Sequence, residues 1–353
     1  LNAPRLLNIS HGRLEELAKV PENPTENSEI GDVRIIGGKP YRTGFLNAFW
    51  GNADFKDPRV LLRAKRENIL FSSRSLHHYT SLAGLKGIIE ENGFWASDNR
   101  FMNDTEESLN GSRLAGHILQ YKARRTSDAA FANVLLAVDE LLASPRQDGH
   151  LVTCFSTVRD DLGQWRGYGA GGVCICLGEV TGREAPLFFG PDHMPFQAIY
   201  DEIPKRVLLL SVLRGFEREY SVDRRAMGTA WPCDHDKDYI EQIHSKISGS
   251  ILGFKDRAFK NESEARIVLS YQQAKRYEGG LKFRVSPLGI IPYLRTGDHL
   301  AVKKHGGLLP LREIIIGPTP HQELVAKSVE TFLRHAGYTS TNVSLSKVPY
   351  RTP

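Results

Sequence analysis

Six side chains in this sequence carry chemistry at informative spacings: His78, Thr80, Trp165, Tyr168, Glu262 and Glu264. His78 and Thr80 stand two apart in the run SLHHYT, so a strand points both one way and His77 and Tyr79 the other. An imidazole beside a hydroxyl suits the paired hydroxyls of a ribose. Tyr168 follows Trp165 by about one helical turn, and the glycines at 167, 169, 171 and 172 would let a flat ligand reach the backbone and the ring. Glu262 and Glu264 flank Ser263 just before the run ARIVLS, with Arg266 nearby as an ion-pair partner. Each group also has a plainer reading: a satisfied structural histidine, aromatic packing within one turn, and solvated carboxylates at the head of a strand.

The elements that must position these groups are legible from periodicity. SLHHYT reads as a strand. SLAGLKGIIEENG follows with Leu82, Leu85, Ile88 and Ile89 at helical spacing, Ser81 as N-cap and Gly93 as terminator, and FWAS is the next strand. FMNDTEESLNG leads into helices over GSRLAGHILQYKARR and DAAFANVLLAVDELLAS, with Asp98, Asp104, Glu106 and Glu107 read as solvated charges. LVTCFST is a strand, DDLGQWRGYG a short helix or turn, and GGVCICLGEV a second strand. PLFFG, FQAIYDEI and RVLLLSVL read as further β or helical elements, and DYIEQIHSKISGSILGFK as a helix. EARIVLSYQQ, LKFRV and REIIIGP are strands. HQELVAKSVETFLRHAGY is a helix with Leu324, Val325, Val329 and Leu333 on its apolar face, and a short strand follows around NVSLSKV. Strands gathered with helices beside them give an α+β class.

Composition narrows the functions. The 353 residues are 41% hydrophobic and 25% charged, as in a folded chain with a real core. A net charge of +5 does not announce a nucleic-acid binder, although the stretch around Lys205, Arg206, Arg214, Arg218, Arg224 and Arg225 offers a basic helical face. No apolar run is long enough to span a bilayer and the start lacks a secretory pattern, so a cytoplasmic chain with no membrane partner is expected. No phosphate-cradling glycine loop, nucleophile elbow or H-E-x-x-H pair occurs. None of Cys154, Cys174, Cys176 and Cys233 forms a C-x-x-C pair, and Cys174 and Cys176 read as small hydrophobes on one strand face, so no metal is expected.

These pieces resemble the ADP-ribosyltransferase superfamily. SLHHYTSLAGLKGIIEENGFWAS is similar to the first strand–helix–strand of those folds, notably in the branch of DNA-modifying toxins. CFSTVRDDLGQWRGYGAGGVCICLGEV looks like the middle segment of the poly-ADP-ribose polymerase group, and ESEARIVLS resembles the final motif. The order H-Y-T, F-x-N-D-x-x-E, C-F-S, W-x-x-Y, E-x-E-x-R and I-I-G-P is similar to bacterial domain-of-unknown-function family 2971. It falls here on His78–Thr80, Phe101–Glu107, Cys154–Ser156, Trp165–Tyr168, Glu262–Arg266 and Ile315–Pro318.

The resemblance implies a split mixed or antiparallel sheet with flanking helices. It divides the chain into an N-terminal extension over 1–74 and a domain over 75–353 with a helical insertion near 105–147. It implies the His-Tyr-Glu triad at His78, Tyr168 and Glu264, with Glu262 as the outer carboxylate. NAD would be the substrate, its ribose held by His78 and Thr80 and its nicotinamide stacked at Tyr168 beside Trp165. Glu264 would stabilise an oxocarbenium-like ribosyl cation, and Glu262 would orient or deprotonate a nucleic-acid or protein acceptor. Such a chain would be an ADP-ribosyltransferase or NAD glycohydrolase, for example a toxin or an antiphage defence effector. The alternative is a non-catalytic nucleotide- or RNA-binding module on the same fold.

Overall fold

The computed structural model describes residues 33–36, 39–42, 75–101, 105–144, 149–169, 171–178, 195–231, 234–305 and 307–349. Most of the N-terminal extension, the run PLFFG, Asp104, Cys233 and the Glu-Val close of GGVCICLGEV lie outside the described residues. Within the extension, β1 (Val33–Ile36) and β2 (Lys39–Arg42) pair as an antiparallel hairpin.

Ser81 accepts from the Gly84 amide and so starts a helix directly after the first long-range strand. β3 (His77–Thr80) thus passes through α1 (Leu82–Glu90) to β4 (Trp95–Asp98), and α2 (Thr105–Ala123) and α3 (Ala129–Ala143) lead to β5 (His150–Ser156). The short α4 (Leu162–Gly167) precedes β6 (Val173–Leu177), and β7 (Phe196–Gln197) precedes α5 (Glu202–Met227) and α6 (His235–Ile251). β8 (Glu264–Ser270), the hairpin β9 (Lys282–Ser286) and β10 (Gly289–Arg295), α7 (Leu300–His305), β11 (Leu311–Ile316), α8 (Gln322–His335) and β12 (Asn342–Leu345) complete the order. The ambiguous run RVLLLSVL resolves as helix, in the first half of α5.

Ten strands form one sheet in the order β12-β11-β6-β3-β5-β4-β10-β9, with β8 and then β7 attached beside β5. The sheet is mixed and largely antiparallel; β11 with β12 is the parallel pair. The four strands expected to share a sheet, β3, β5, β6 and β8, all lie in it. Register matters most at β5. One edge pairs with β8 along its whole length, from His150↔Ser270 to Ser156↔Glu264. The other edge is divided, with His77 of β3 opposite Ser156 and with Ser97 and Asp98 of β4 opposite Val152 and Leu151. Between them the edge is left open, which makes a notch in the sheet.

Strand alternation assigns the two faces. Leu76, Phe155, Ile175, Ile267 and Ile314 point to one side, where Leu85, Ile88 and Ile89 of α1 and Val329 and Leu333 of α8 close the main core. Two expected apolar positions miss it: Leu82 and Leu324 are exposed. A second core lies within a helical layer, where α2 and α3 pack with α5 and α6 around Phe131, Leu135, Leu208, Phe216 and Ile243. Asp98 departs from its solvated reading. It is buried and held by Arg100 and by the Tyr271 hydroxyl.

Candidate functional site

The open stretch of the β5 edge leaves a backbone carbonyl that needs a donor. His78 supplies it: Nδ1 donates to the Cys154 carbonyl at 3.0 Å, across the notch. That bond fixes the tautomer of the neutral ring and leaves a lone pair on Nε2. Burial pulls the His78 pKa below its usual value, with the carbonyl bond opposing, so the ring is neutral near pH 7. Edge contacts from Phe94 at 5.0 Å and Phe155 at 5.7 Å hold it there.

Asp161 accepts from the Gln164 amide at 2.9 Å and thereby starts α4, and Trp165 roots it. The indole is fully buried, donates to Asp160 at 2.8 Å, and meets the Tyr79 ring edge-on at 4.9 Å. Tyr79 in turn donates to the Val158 carbonyl and accepts from the Asp161 amide. Tyr168 caps the far end of α4 and is 57% exposed, its hydroxyl 3.3 Å from Glu262 Oε1.

Glu262 ends a 3-10 turn over Arg257–Glu262, and Ser263 then takes a left-handed conformation at φ 44° before β8 begins with Glu264. A residue with a side chain seldom sits there. Thr157 holds the turn by donating its amide and hydroxyl to the Ser263 carbonyl, and Ser156 and Gln164 both donate to the Glu262 carbonyl. The two carboxylates then converge on Lys255, whose Nζ lies 2.5 Å from Glu262 and 2.7 Å from Glu264. Arg266 grips Glu264 from the other side through Nε at 2.8 Å and Nη2 at 3.0 Å. Glu264 also donates its amide to the Tyr200 hydroxyl at 2.8 Å.

A buried carboxylate, Glu264, and a half-buried one, Glu262, thus face two buried cations. For Glu264, burial opposes ionisation, but Arg266 and Lys255 outweigh it and hold the carboxyl at about 2. For Lys255, burial likewise opposes the charge and the two glutamates outweigh it, so its pKa is raised. Burial and then the Glu262 charge push the Tyr168 phenol up to about 12.

His78, Cys154, Tyr168, Lys255, Glu262 and Glu264 line one cleft of about 290 Å³ at the notch. The structure therefore brings together four of the six residues singled out by spacing. Thr80 and Trp165 do not line it. Thr80 lies on the core side of β3 with its hydroxyl against Gly84 of α1, and Trp165 is an anchor rather than a ligand contact. His78 shares that core-side alternation and reaches the cleft only because the sheet is open beside it. His77, by contrast, shares a face with Ser156 and Glu264. Cys174 and Cys176 pack on one strand face with Tyr79, Trp165 and Ile315, as expected, and on that face His77 lies opposite Cys176, so that His77, Cys174 and Cys176 bring their ligand atoms within 4.8 Å of one another.

Lys255, Tyr200 and Gln164 are site residues that spacing did not reveal. Lys255 directly follows the apolar run ILGF, and its burial at 4% exposure shows only in the fold. The basic stretch on α5 does not form one patch at this site. Arg206 pairs with Glu202 at 2.6 Å near one end of the helix, while Arg224 lies over Trp231 near the other. Among the described residues no helix is long and apolar enough to cross a membrane.

Compared with known protein families, with curated proteins and with solved structures, the chain matches none. The resemblance rests on the motifs alone.

Proposed function

We propose that the cleft binds NAD and cleaves its nicotinamide–ribose bond, as an ADP-ribosyltransferase or an NAD glycohydrolase. The observation that supports this reading is the meeting of His78, Tyr168, Glu262 and Glu264, from three distant segments, in one notch of a mixed sheet. Tyr168 offers a ring face to the nicotinamide, and the Nε2 lone pair of His78 accepts a ribose hydroxyl. The C–N glycosidic bond breaks with its electron pair going to the nicotinamide nitrogen, which becomes neutral. The ribosyl cation left behind is captured by water or an acceptor hydroxyl or amine, which loses its proton.

The geometry supports a different division of the two carboxylate roles. Glu264 is already charge-compensated by Arg266 and Lys255, so it fixes Lys255 rather than meeting the cation. Glu262 is the more open carboxylate and touches Tyr168, so the charge facing the developing cation falls to it. Incubating the chain with NAD and measuring nicotinamide release tests this. Glu262→Gln is expected to keep NAD affinity and to lose about 10²–10³-fold in release rate. Release that persists in Glu262→Gln, with only transfer to an added nucleic acid or protein lost, returns the cation-facing role to Glu264.

A second reading, a nucleotide- or RNA-binding module without catalysis, is favoured by one observation. The innermost carboxylate is held by three hydrogen bonds from cations, an arrangement suited to rigidity. A folded wild-type chain that binds NAD and releases no nicotinamide with proteins, DNA and RNA supplied establishes that reading.

A further inference from the structure

β3 and β6 run antiparallel with His77 opposite Cys176 and Tyr79 opposite Cys174. Directly opposed residues share a face, and residues two apart on a strand share it too. His77, Cys174 and Cys176 therefore project to the same side, which is the side away from the main core. All three are buried at 4% exposure or less. The two sulfurs are 3.9 Å apart, far beyond a disulfide bond. That separation matches the edge of a tetrahedron about 3.8 Å long that zinc–thiolate bonds of about 2.3 Å define.

The histidine supplies a second, independent observation. His77 Nδ1 is shut off from solvent and has no hydrogen-bond partner, a costly state for a buried ring nitrogen. Its Nε2 lies 3.4 Å from the Ser75 hydroxyl, a contact that can orient the ring and leave Nδ1 for a ligand. The neighbouring polar groups are otherwise committed: the Tyr79 hydroxyl to Val158 and Asp161, and Glu313, in register with Cys176 on β11, to Arg159 and Ser344.

We propose that His77, Cys174 and Cys176 bind a zinc ion, with an oxygen ligand at the fourth position. Binding takes one proton from each thiol and releases both to solvent. One dication, two thiolates and a neutral imidazole sum to zero, which is the charge a buried site tolerates best. The ion ties β3 to β6 beneath Trp165, which packs on Tyr79, Cys174 and Cys176 and roots the helix that carries Tyr168. This site is separate from the NAD reading and stands or falls without it.

The test is elemental analysis of the full chain purified without chelator or added metal. One zinc per chain is expected, lost in Cys174→Ser and Cys176→Ser and kept in Cys154→Ser. X-ray absorption should show two sulfurs at about 2.3 Å and one imidazole nitrogen at about 2.0 Å. Because the serine variants can fail to fold, the wild type is also stripped and titrated with Co²⁺, where thiolate-to-cobalt charge-transfer absorption should rise to a one-to-one endpoint. A wild-type chain of native circular dichroism that takes up neither zinc nor cobalt overturns the proposal. Zinc retained in full by a folded Cys174→Ser/Cys176→Ser double variant, or a Cys174–Cys176 disulfide in the chain purified from a reducing host, also overturns it.

Discussion

Glu264 ionises inside the protein although burial works against it, because Arg266 and Lys255 donate to both of its oxygens. Its folded pKa of about 2 lies below the usual 4.5, so the contribution to stability is fully present above about pH 4.5. It is lost as pH falls from there through about 2, and the shift corresponds to about 3 kcal/mol. Glu264→Gln removes one partner of a buried cluster and leaves Lys255 and Arg266 facing a single carboxylate. A loss of about 3–5 kcal/mol at pH 7 is expected from urea denaturation, and the gap to wild type should narrow below about pH 4. An equal gap at both pH values would mean that shape rather than charge is at stake. Tyr168 calls for a different measurement, because its ring is exposed and only its hydroxyl is engaged, with Glu262. Under the proposed NAD reading, Tyr168→Ala should raise the NAD dissociation constant about 5- to 150-fold, the equivalent of about 1–3 kcal/mol of stacking, and Tyr168→Phe should leave it near wild type. Calorimetric titration showing the same loss in both variants would assign the role to the hydroxyl.

The helix that presents Tyr168 has only six residues, so its ends decide its stability. Asp161→Ala removes the N-cap and should cost about 1 kcal/mol. Beyond the helix the chain returns to β6 through Gly172, which lies flat on the backbone of Thr80 and Ser81. A Cβ at Gly172 would run into the Thr80 carbonyl, and backbone cannot swing aside as a side chain does. Gly172→Ala should therefore destabilise by at least about 1–3 kcal/mol, whereas Gly167→Ala, with nothing within 4 Å of the added carbon, should be neutral in the same thermal melt. Much at this scale is legible in the sequence. The Ser81 cap and the strand pattern of ARIVLS are local, and both match the fold. Which of two neighbouring side chains faces a ligand is not local. Thr80 and Trp165 share their segments with cleft residues yet lie outside the cleft, because Thr80 packs against Gly84 of α1 and Trp165 is buried. Lys255 joins the glutamates only through tertiary packing, and no spacing rule connects them.

At the scale of the molecule, the sheet core and the helical layer are two separate apolar clusters. Periodicity predicts α2 and α3 as helices and the resemblance makes them an insertion, but their partners α5 and α6 come from a later part of the chain, and that pairing is invisible without the fold. Phe131 is fully buried in the helical cluster. Phe131→Ala should cost about 3–5 kcal/mol there. Native-state hydrogen exchange should show faster exchange across α2, α3, α5 and α6, with β6 and β11 keeping their protection. Uniform loss in both regions would show that the two cores open as one unit.

The division of the β5 edge also governs when the cleft can exist. Ser156 meets the Glu262 carbonyl across 106 residues, Tyr168 meets Glu262 across 94, and His78 meets Cys154 across 76. Pairings between such distant segments close large loops before they gain anything, so they form slowly. While the chain is being synthesised, β5 leaves the ribosome long before β8 and waits with a full edge of unpaired amides and carbonyls. The helices α5 and α6 are made in that interval and can condense first from local contacts. The cleft would then form abruptly, with the arrival of β8, and any chain truncated before that strand would lack it and keep a sticky open edge.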